Sequence, residues 1–364
     1  GTNSIGNSTI YDNGTNVGIG TTSPNQQLEI TGNFRLPNTT ATSGTYGVIY
    51  KGADPFIHNF NYGNNGTVTT YGYNTFVGVN AGNFTMGSTA TGTWHASYNT
   101  GIGYKTLYSN TIGYYNTAIG YQSLYANTSG YYNTAVGHTS LDSNTMGYYN
   151  TAIGYQSLHA NTSGYNNTSL GVNSLYSNTT GYQNTALGDN SGRYIADGST
   201  GNQTSSSSVY LGYNTKALAD GDTNETVIGY SATGVGSNSV VLGNDSVTKT
   251  ILKGKVGIGI TSPSQQLDMT GNINLTSTNY SNQNGIIYKN GVRFIHDFNY
   301  GNNGTVTTVG FNTFVGPYAG NFTMGSTATD VNQGSHNTGI GYTSLYSNTT
   351  GHHNTALGLG SLSS

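Results

Sequence analysis

The chain has 364 residues and a formal net charge of −3 at pH 7; only 6% of it is charged and 55 residues are glycine. Its hydrophobic share, 34%, is weighted to tyrosine, with 31 Tyr against 10 Phe and 1 Trp, so a thick oily core is excluded because much of the apolar area carries a hydroxyl that needs a partner. Ten scattered Lys and Arg exclude the basic footprint of a nucleic-acid binder, and low charge with 12% aromatics separates the chain from ordinary disorder. Cysteine is absent, so there is no disulfide framework and no thiolate metal site. No apolar run approaches the roughly 18 residues of a membrane span, so no membrane insertion is expected in this segment. The opening "GTNSIGNSTIY" lacks the basic and apolar regions of a signal peptide. Both ends of the chain lie inside repeat-like text, which reads as a piece of a longer, exported polypeptide.

In chain order, residues 1–33 form a connector around "VGIGTTSP", and 34–73 a less repetitive β segment. Residues 74–196 form a solenoid stretch whose repeat is seventeen residues. Asn116, Asn133 and Asn150 follow it, as do Gly120, Gly137 and Gly154, the aliphatic series Ile119, Val136 and Ile153, and the leucines Leu124, Leu141 and Leu158. A seventeen-residue unit rich in Gly, Asn and Thr is too short for helical repeats, which need about 33 to 47 residues, and disfavours helix. "TAIGY" alternates as a short strand does, while "ANTSG" is turn chemistry. The fold class expected is all-β: a parallel β-solenoid, or β-roll, whose coils stack at roughly 4.8 Å and turn identical residues into ladders. Tyr114, Tyr131 and Tyr148 are expected to stack ring on ring.

Alternation places Ile119 with Thr117 and Tyr121 on one face and Ala118 with Gly120 on the other. Two readings of the small-residue strip stand: an interface where parallel chains approach closely, or a tight bend that needs glycine. From Asn74 to Asn99 the step is 25, an eight-residue insertion. Residues 197–255 are variant coils stepping by 17 and then 14, and 256–272 form a second connector. Residues 273–311 duplicate the earlier β segment, and 312–364 form a second, truncated solenoid. "FIHNFNYGNNGTVTT" from Phe56 returns as "FIHDFNYGNNGTVTT" from Phe294.

Candidate chemistry is sparse. Asp220, Asp222, Asn224 and Glu225 begin like a calcium loop, but Glu225 stands where glycine is expected and Ser231 where a bidentate Glu is expected, so the stretch reads as a solvated turn. His58 and His296 offer either packed rings or, across three chains, a shared metal site. His352 and His353 are adjacent, and alternation sends them to opposite faces. "VGIG" lacks the lysine of a phosphate loop. Asn127-Thr128-Ser129 and similar triplets suit either glycan attachment or turns. No catalytic residue, metal or cofactor is assigned, and the chain is expected not to be an enzyme.

The "VIGYSATGVGSNSVVLGN" stretch and the "NTAIG" coils resemble head repeats of trimeric autotransporter adhesins, and the "VGIGTTSPNQQLEITGN" connectors resemble those of phage tail-fibre-like surface proteins. The resemblance covers most of the chain apart from about residues 34–73 and 273–311. It implies left-handed parallel β-rolls in three chains side by side. The coils here are mostly seventeen residues rather than about fourteen.

The function expected is therefore a structural and adhesive fibre segment, extracellular, on a cell surface or on a virion. Its partners would be copies of itself, as a homotrimer, and cell-surface glycans. The alternatives are a subunit of an end-to-end filament joined through unpaired terminal coils, and a solenoid that binds ice or a polysaccharide lattice through the column Thr117, Thr134, Thr151, Thr168 and Thr185.

Overall fold

The computed structural model describes residues 10–41, 46–278, 281 and 284–363, and among them there is no helix. It divides into two units, residues 1–250 and 251–364.

In the first unit a three-stranded sheet joins Ile10–Asp12 antiparallel to Val17–Ile19, and Val17–Ile19 parallel to Leu28–Ile30. The acidic residue of the connector holds this sheet together: Glu29 accepts the backbone N–H of Asn25 at 2.8 Å and closes the loop between the parallel strands. The second unit repeats the device, with Val256–Ile258 parallel to Leu267–Met269 and Asp268 accepting from the Ser264 N–H at 3.0 Å.

The solenoid is a 12-stranded sheet. Its parallel part runs through Thr75–Val77, Thr100–Ile102, Thr117–Ile119, Thr134–Val136, Thr151–Ile153, Thr168–Leu170, Thr185–Leu187, Val209–Leu211, Glu225–Ile228 and Ser239–Leu242. Equivalent residues pair without slippage, Thr117 with Thr134 and Ile119 with Val136, so the seventeen-residue period is the stacking period. The 17 and 14 steps of the variant coils continue the same stack. The first parallel strand is not an unpaired edge. A hairpin of Ile49–Lys51 and Asp54–His58 lies antiparallel against Thr75–Val77 and closes that end, as solenoid caps do. The second unit repeats this plan with Ile287–Lys289, Val292–His296, Thr313–Val315, Thr338–Ile340 and Thr355–Leu357.

The strand faces are the reverse of what bulk suggests. Ala118, Ala135 and Ala152 are fully buried, while Ile119 and Ile153 point out, 37% and 39% exposed. The cross-section of a seventeen-residue coil leaves room for only a methyl beneath the strand, because Leu124, Asn116, Ser123 and Asn127 already fill the interior. The small-residue strip is thus the inner wall and not an interface between chains. Gly120 has φ +132, and a Cβ there would stand 2.3 Å from the carbonyl oxygen of Gly137 in the next coil, so this glycine permits both the bend and the close stacking of coils.

Asparagine takes the place of the missing core. Asn116 donates its amide to Asn99 Oδ1 at 3.1 Å and to the Gly130 carbonyl at 2.8 Å, while its own Oδ1 accepts the backbone N–H and the side-chain amide of Asn133 at 3.0 and 3.1 Å. Both donors and both lone pairs are used, so a fully buried amide is not left unpaired. A second ladder, Asn110 to Asn127 to Asn144, links coils through 2.8 Å amide bonds, and Asn127 shares the Gly130 carbonyl with Asn116. Since Asn127 is fully buried, the Asn127-Thr128-Ser129 triplet is a turn and not a glycan acceptor.

Three residues per coil adopt the left-handed conformation without being glycine: Tyr115, Gln122 and Leu124 have φ of 53, 51 and 52. Each such residue costs on the order of 1 kcal/mol. Hydrogen bonds to the adjacent coils offset that strain, from Tyr115 N to Ser97 O, from Gln122 N to Tyr104 O and from Leu124 N to Ser140 O, at 3.0, 2.8 and 3.1 Å. The corners are therefore stacked and bonded as the strands are.

Candidate functional site

Because interior positions are occupied by ladders, anything the solenoid recognises must meet its outer surface. Along the strands that surface is aliphatic: Ile102, Ile119, Ile153, Leu170, Leu187 and Leu211 stand in register, each between 37% and 44% exposed. The threonine column Thr117, Thr134 and Thr151 runs beside them, half-buried, so Thr and Ile do share a face, and it faces outward.

The other outer features are aromatic. Tyr114, Tyr131, Tyr148, Tyr165 and Tyr182 stack at 4.9 Å with ring planes within 7° of parallel. A second column, Tyr98, Tyr115, Tyr132 and Tyr149, stacks at 4.5, 4.8 and 5.0 Å. A third runs through Tyr104, Tyr121, His138 and Tyr155. The second column breaks the alternation rule because Tyr115 and Tyr132 are left-handed, which turns each to the same side as the tyrosine before it. His352 and His353 obey the same geometry. His353 has φ +59, and the two rings meet edge to face at 5.3 Å, so they share a side rather than lying on opposite faces.

The remaining polar candidates serve the fold. His58 lies beneath the cap between Phe76 and Phe84, its ring 4.9 and 4.7 Å from theirs. Its Nε2–H donates to the Ala81 carbonyl at 2.8 Å and its Nδ1 accepts the Phe60 N–H, which fixes the neutral tautomer; burial pulls its pKa below 6.5. His296 occupies the same place in the second unit, 3.0 Å from the Ala319 carbonyl, and burial lowers its pKa too.

The acidic stretch is not a solvated turn throughout. Asp220 accepts the N–H groups of Gln203 and Thr204 at 2.7 Å, tying neighbouring coils. Glu225 is fully buried and replaces the ladder asparagine, with Oε1 accepting the Gly236 N–H at 2.9 Å; burial raises its pKa. Tyr210 replaces the inner alanine nearby, and its phenol is pushed up to about 12, mainly by burial and next by Glu225. Among the described residues no three His, Cys, Asp or Glu side chains gather into a set able to hold a metal.

Concave surface occurs where the period is broken. One cleft, lined by Phe84, Tyr108 and Thr111, measures about 470 Å3 in the first unit and recurs in the second at Phe322, Tyr346 and Thr349 with about 400 Å3. A different, open cleft of about 320 Å3 is lined by Tyr71, Trp94, Tyr114, Tyr115 and Tyr132. Trp94 lies in the eight-residue insertion and is 48% exposed; Tyr71 is 52% exposed. The Tyr71 N–H donates to the Thr93 carbonyl at 2.8 Å, tying the inserted loop to the cap segment. The Trp94 ring meets His95 edge to face at 6.0 Å, and His95 in turn stacks on the Tyr114 ring at 5.9 Å. Sequence reasoning marked the tyrosine columns and the insertion separately. That the insertion folds Trp94 over those columns was not legible, because no periodicity governs the eight extra residues.

Family models, curated proteins and solved structures were each compared with the chain, and none matches it.

Proposed function

We propose that this chain is a rigid, non-catalytic segment of an extracellular fibre, built from copies of itself side by side and displaying repeated surface features to a target. The observation that carries this reading is the in-register column of outward aliphatic side chains from Ile102 to Leu211, exposed in six of seven coils and partly exposed at Val136. Ten parallel strands at strand spacing give a rod of roughly 45 Å in the first unit. A lengthwise stripe of half-exposed Ile and Leu is the kind of surface that a second rod of the same pitch covers, and each side chain so covered contributes about 1 kcal/mol at 40% exposure. The cap hairpin weighs against end-to-end joining at that end of the solenoid, since it pairs the edge of Thr75–Val77 and leaves only the short antiparallel strand Ile49–Lys51 outermost.

Light scattering of the purified chain, followed by negative-stain imaging, tests the proposal. The expected outcome is a small closed oligomer of fixed length that dissociates on Ile119→Asp with Ile153→Asp. A monomer in the unmutated protein at micromolar concentration refutes side-by-side assembly, and threads of unlimited length favour the filament. The half-buried threonine column keeps lattice binding as a second reading, and a monomer that changes ice-crystal growth would select it.

A further inference from the structure

We infer that the cleft formed by Tyr71, Trp94, Tyr114, Tyr115 and Tyr132 is a binding site for one neutral pyranose ring of an oligosaccharide. The inference rests on the adhesive part of the fibre reading and names what the fibre would adhere to.

Three observations support it. The first is the lining: five aromatic residues meet in one cleft of about 320 Å3. That volume suits a single sugar ring with an open side for the rest of a chain. Ring faces offer apolar contact to the C–H side of a pyranose, and four phenol hydroxyls and the indole N–H offer hydrogen bonds to its hydroxyls. The second is charge. No Lys, Arg, Asp or Glu lines the cleft, so it provides no counter-charge for an acidic sugar or a phosphate and suits an uncharged polyol. The third is preorganisation. Tyr115 is held between Tyr98 at 4.5 Å and Tyr132 at 4.8 Å, and the Trp94 ring meets that of His95 edge to face at 6.0 Å, so little ordering is left for the ligand to induce.

Packing alone does not explain the arrangement. The equivalent insertion in the second unit has Asn332 where Trp94 stands and Val309 where Tyr71 stands, while Tyr114 and Tyr115 correspond to His352 and His353. The second unit keeps the same strands, the same cap and the same step of 25 without this aromatic set. The scaffold therefore does not need Trp94, and the residues of the second unit supply substitutions that the fold already accepts.

Trp94 is the single tryptophan, so its fluorescence reports on this cleft alone. The full chain is titrated with maltohexaose, cellohexaose, chitohexaose and mannohexaose, with sialyllactose and a proline-rich peptide as contrasting probes. The expected result is a saturable change in emission with at least one neutral hexaose, weakened about tenfold or more in Tyr71→Val and in Tyr115→His while light scattering and circular dichroism stay unchanged. Calorimetry on Trp94→Asn should show the same loss. The same neutral oligosaccharide presented on a protein carrier should compete with the free one, showing that the ring and not its carrier is recognised.

Three results would overturn the inference: silence with all neutral hexaoses, response to the peptide alone, or binding untouched by Tyr71→Val. Rods that assemble but ignore sugars defeat this site and leave the fibre reading intact. A monomer that binds sugar through Trp94 defeats the fibre reading and leaves the site.

Discussion

The two units share an interior and differ in what they show to solvent. At the first coil of each, a phenylalanine takes the inner position: Phe76 in one, Phe314 in the other. The coil above it responds in both cases with glycine in place of alanine, since a Cβ on Gly101 would stand 2.9 Å from the Phe76 ring and one on Gly339 would stand 3.0 Å from that of Phe314. A buried histidine under the cap, bonded to an alanine carbonyl, is likewise common to both. Outside, the units diverge: Tyr71 and Trp94 correspond to Val309 and Asn332, and Pro55 corresponds to Arg293, whose guanidinium lies 3.9 Å from the Phe322 ring centre. The interior thus specifies the rod, and the outer surface varies without disturbing it. Scaffold and recognition are separable.

The sharpest way to break that comparison is to attack the common interior. Phe76→Ala should remove about 3–5 kcal/mol from the first unit, because Gly101 and Gly82 beside it have no side chains with which to refill the space. Phe314→Ala should cost the second unit a similar amount, since Gly339 and Gly320 flank it in the same way. Hydrogen exchange resolved by segment would measure both. A loss in one unit and none in the other would show that the copies are not energetically equivalent.

Next in size is the asparagine ladder. Asn133→Ala removes one of the two donors to Asn116 Oδ1 and one donor to the Gly147 carbonyl, and takes away the acceptor of the Asn150 N–H and side-chain amide, so it should destabilise the solenoid by about 2–3 kcal/mol. Asn133→Asp is the more informative change, because it retains the shape while removing the amide donors. It should be as damaging near neutral pH, and less so in acid as the buried carboxyl gains its proton. Thermal unfolding across pH measures both variants.

The caps supply a pH dependence of their own. Both His58 and His296 are held below 6.5 by burial, so the folded chain binds fewer protons than the unfolded chain. The stability their neutral forms confer is complete above about pH 6.5 and is lost as pH falls through and below that value. Protection factors at Phe60 and Phe298, referenced to the intrinsic exchange rate at each pH, should fall on acidification, in both units and in the same direction. His58→Phe should flatten the response in the first unit only, at the cost of the bond to Ala81.

How much of this was legible follows from which forces the sequence displays. A period of seventeen in Asn116, Asn133 and Asn150 is a direct record of stacking, and it gave the fold class and the existence of the ladders. The sign of the strand face was not legible. The rule that larger apolar groups point inward holds for a core with volume to fill, and a seventeen-residue coil lined by Leu124 and two asparagines has none beneath Ala118. The partnership of Tyr114 with Tyr115 was hidden for another reason. Alternation assumes extended backbone, and Tyr115 at φ 53 is not extended. The cleft at Trp94 depends on both effects together, a left-handed tyrosine and an aperiodic insertion, and so lay beyond any reading by period.

The smallest effect should come from the exposed aromatic columns, and it tests the separation of interior from surface most directly. Tyr148→Ala removes a ring stacked on Tyr131 and Tyr165 at 4.9 Å on each side. Aromatic pairs contribute about 0.5–1.5 kcal/mol each, so the deletion should cost at most about 3 kcal/mol and, because the ring is partly solvated, nearer 1. The second unit shows why the lower figure is expected, since in place of the neighbouring pair Tyr98 and Tyr115 it holds His336 on His353 at 4.7 Å and the coils stack regardless. If chemical denaturation instead shows Tyr148→Ala to be as damaging as Asn133→Ala, the outer rings belong to the set of contacts that holds the coils together. Variation at Trp94 and Tyr71 would then have to be read as a change in stability before it could be read as a change in ligand.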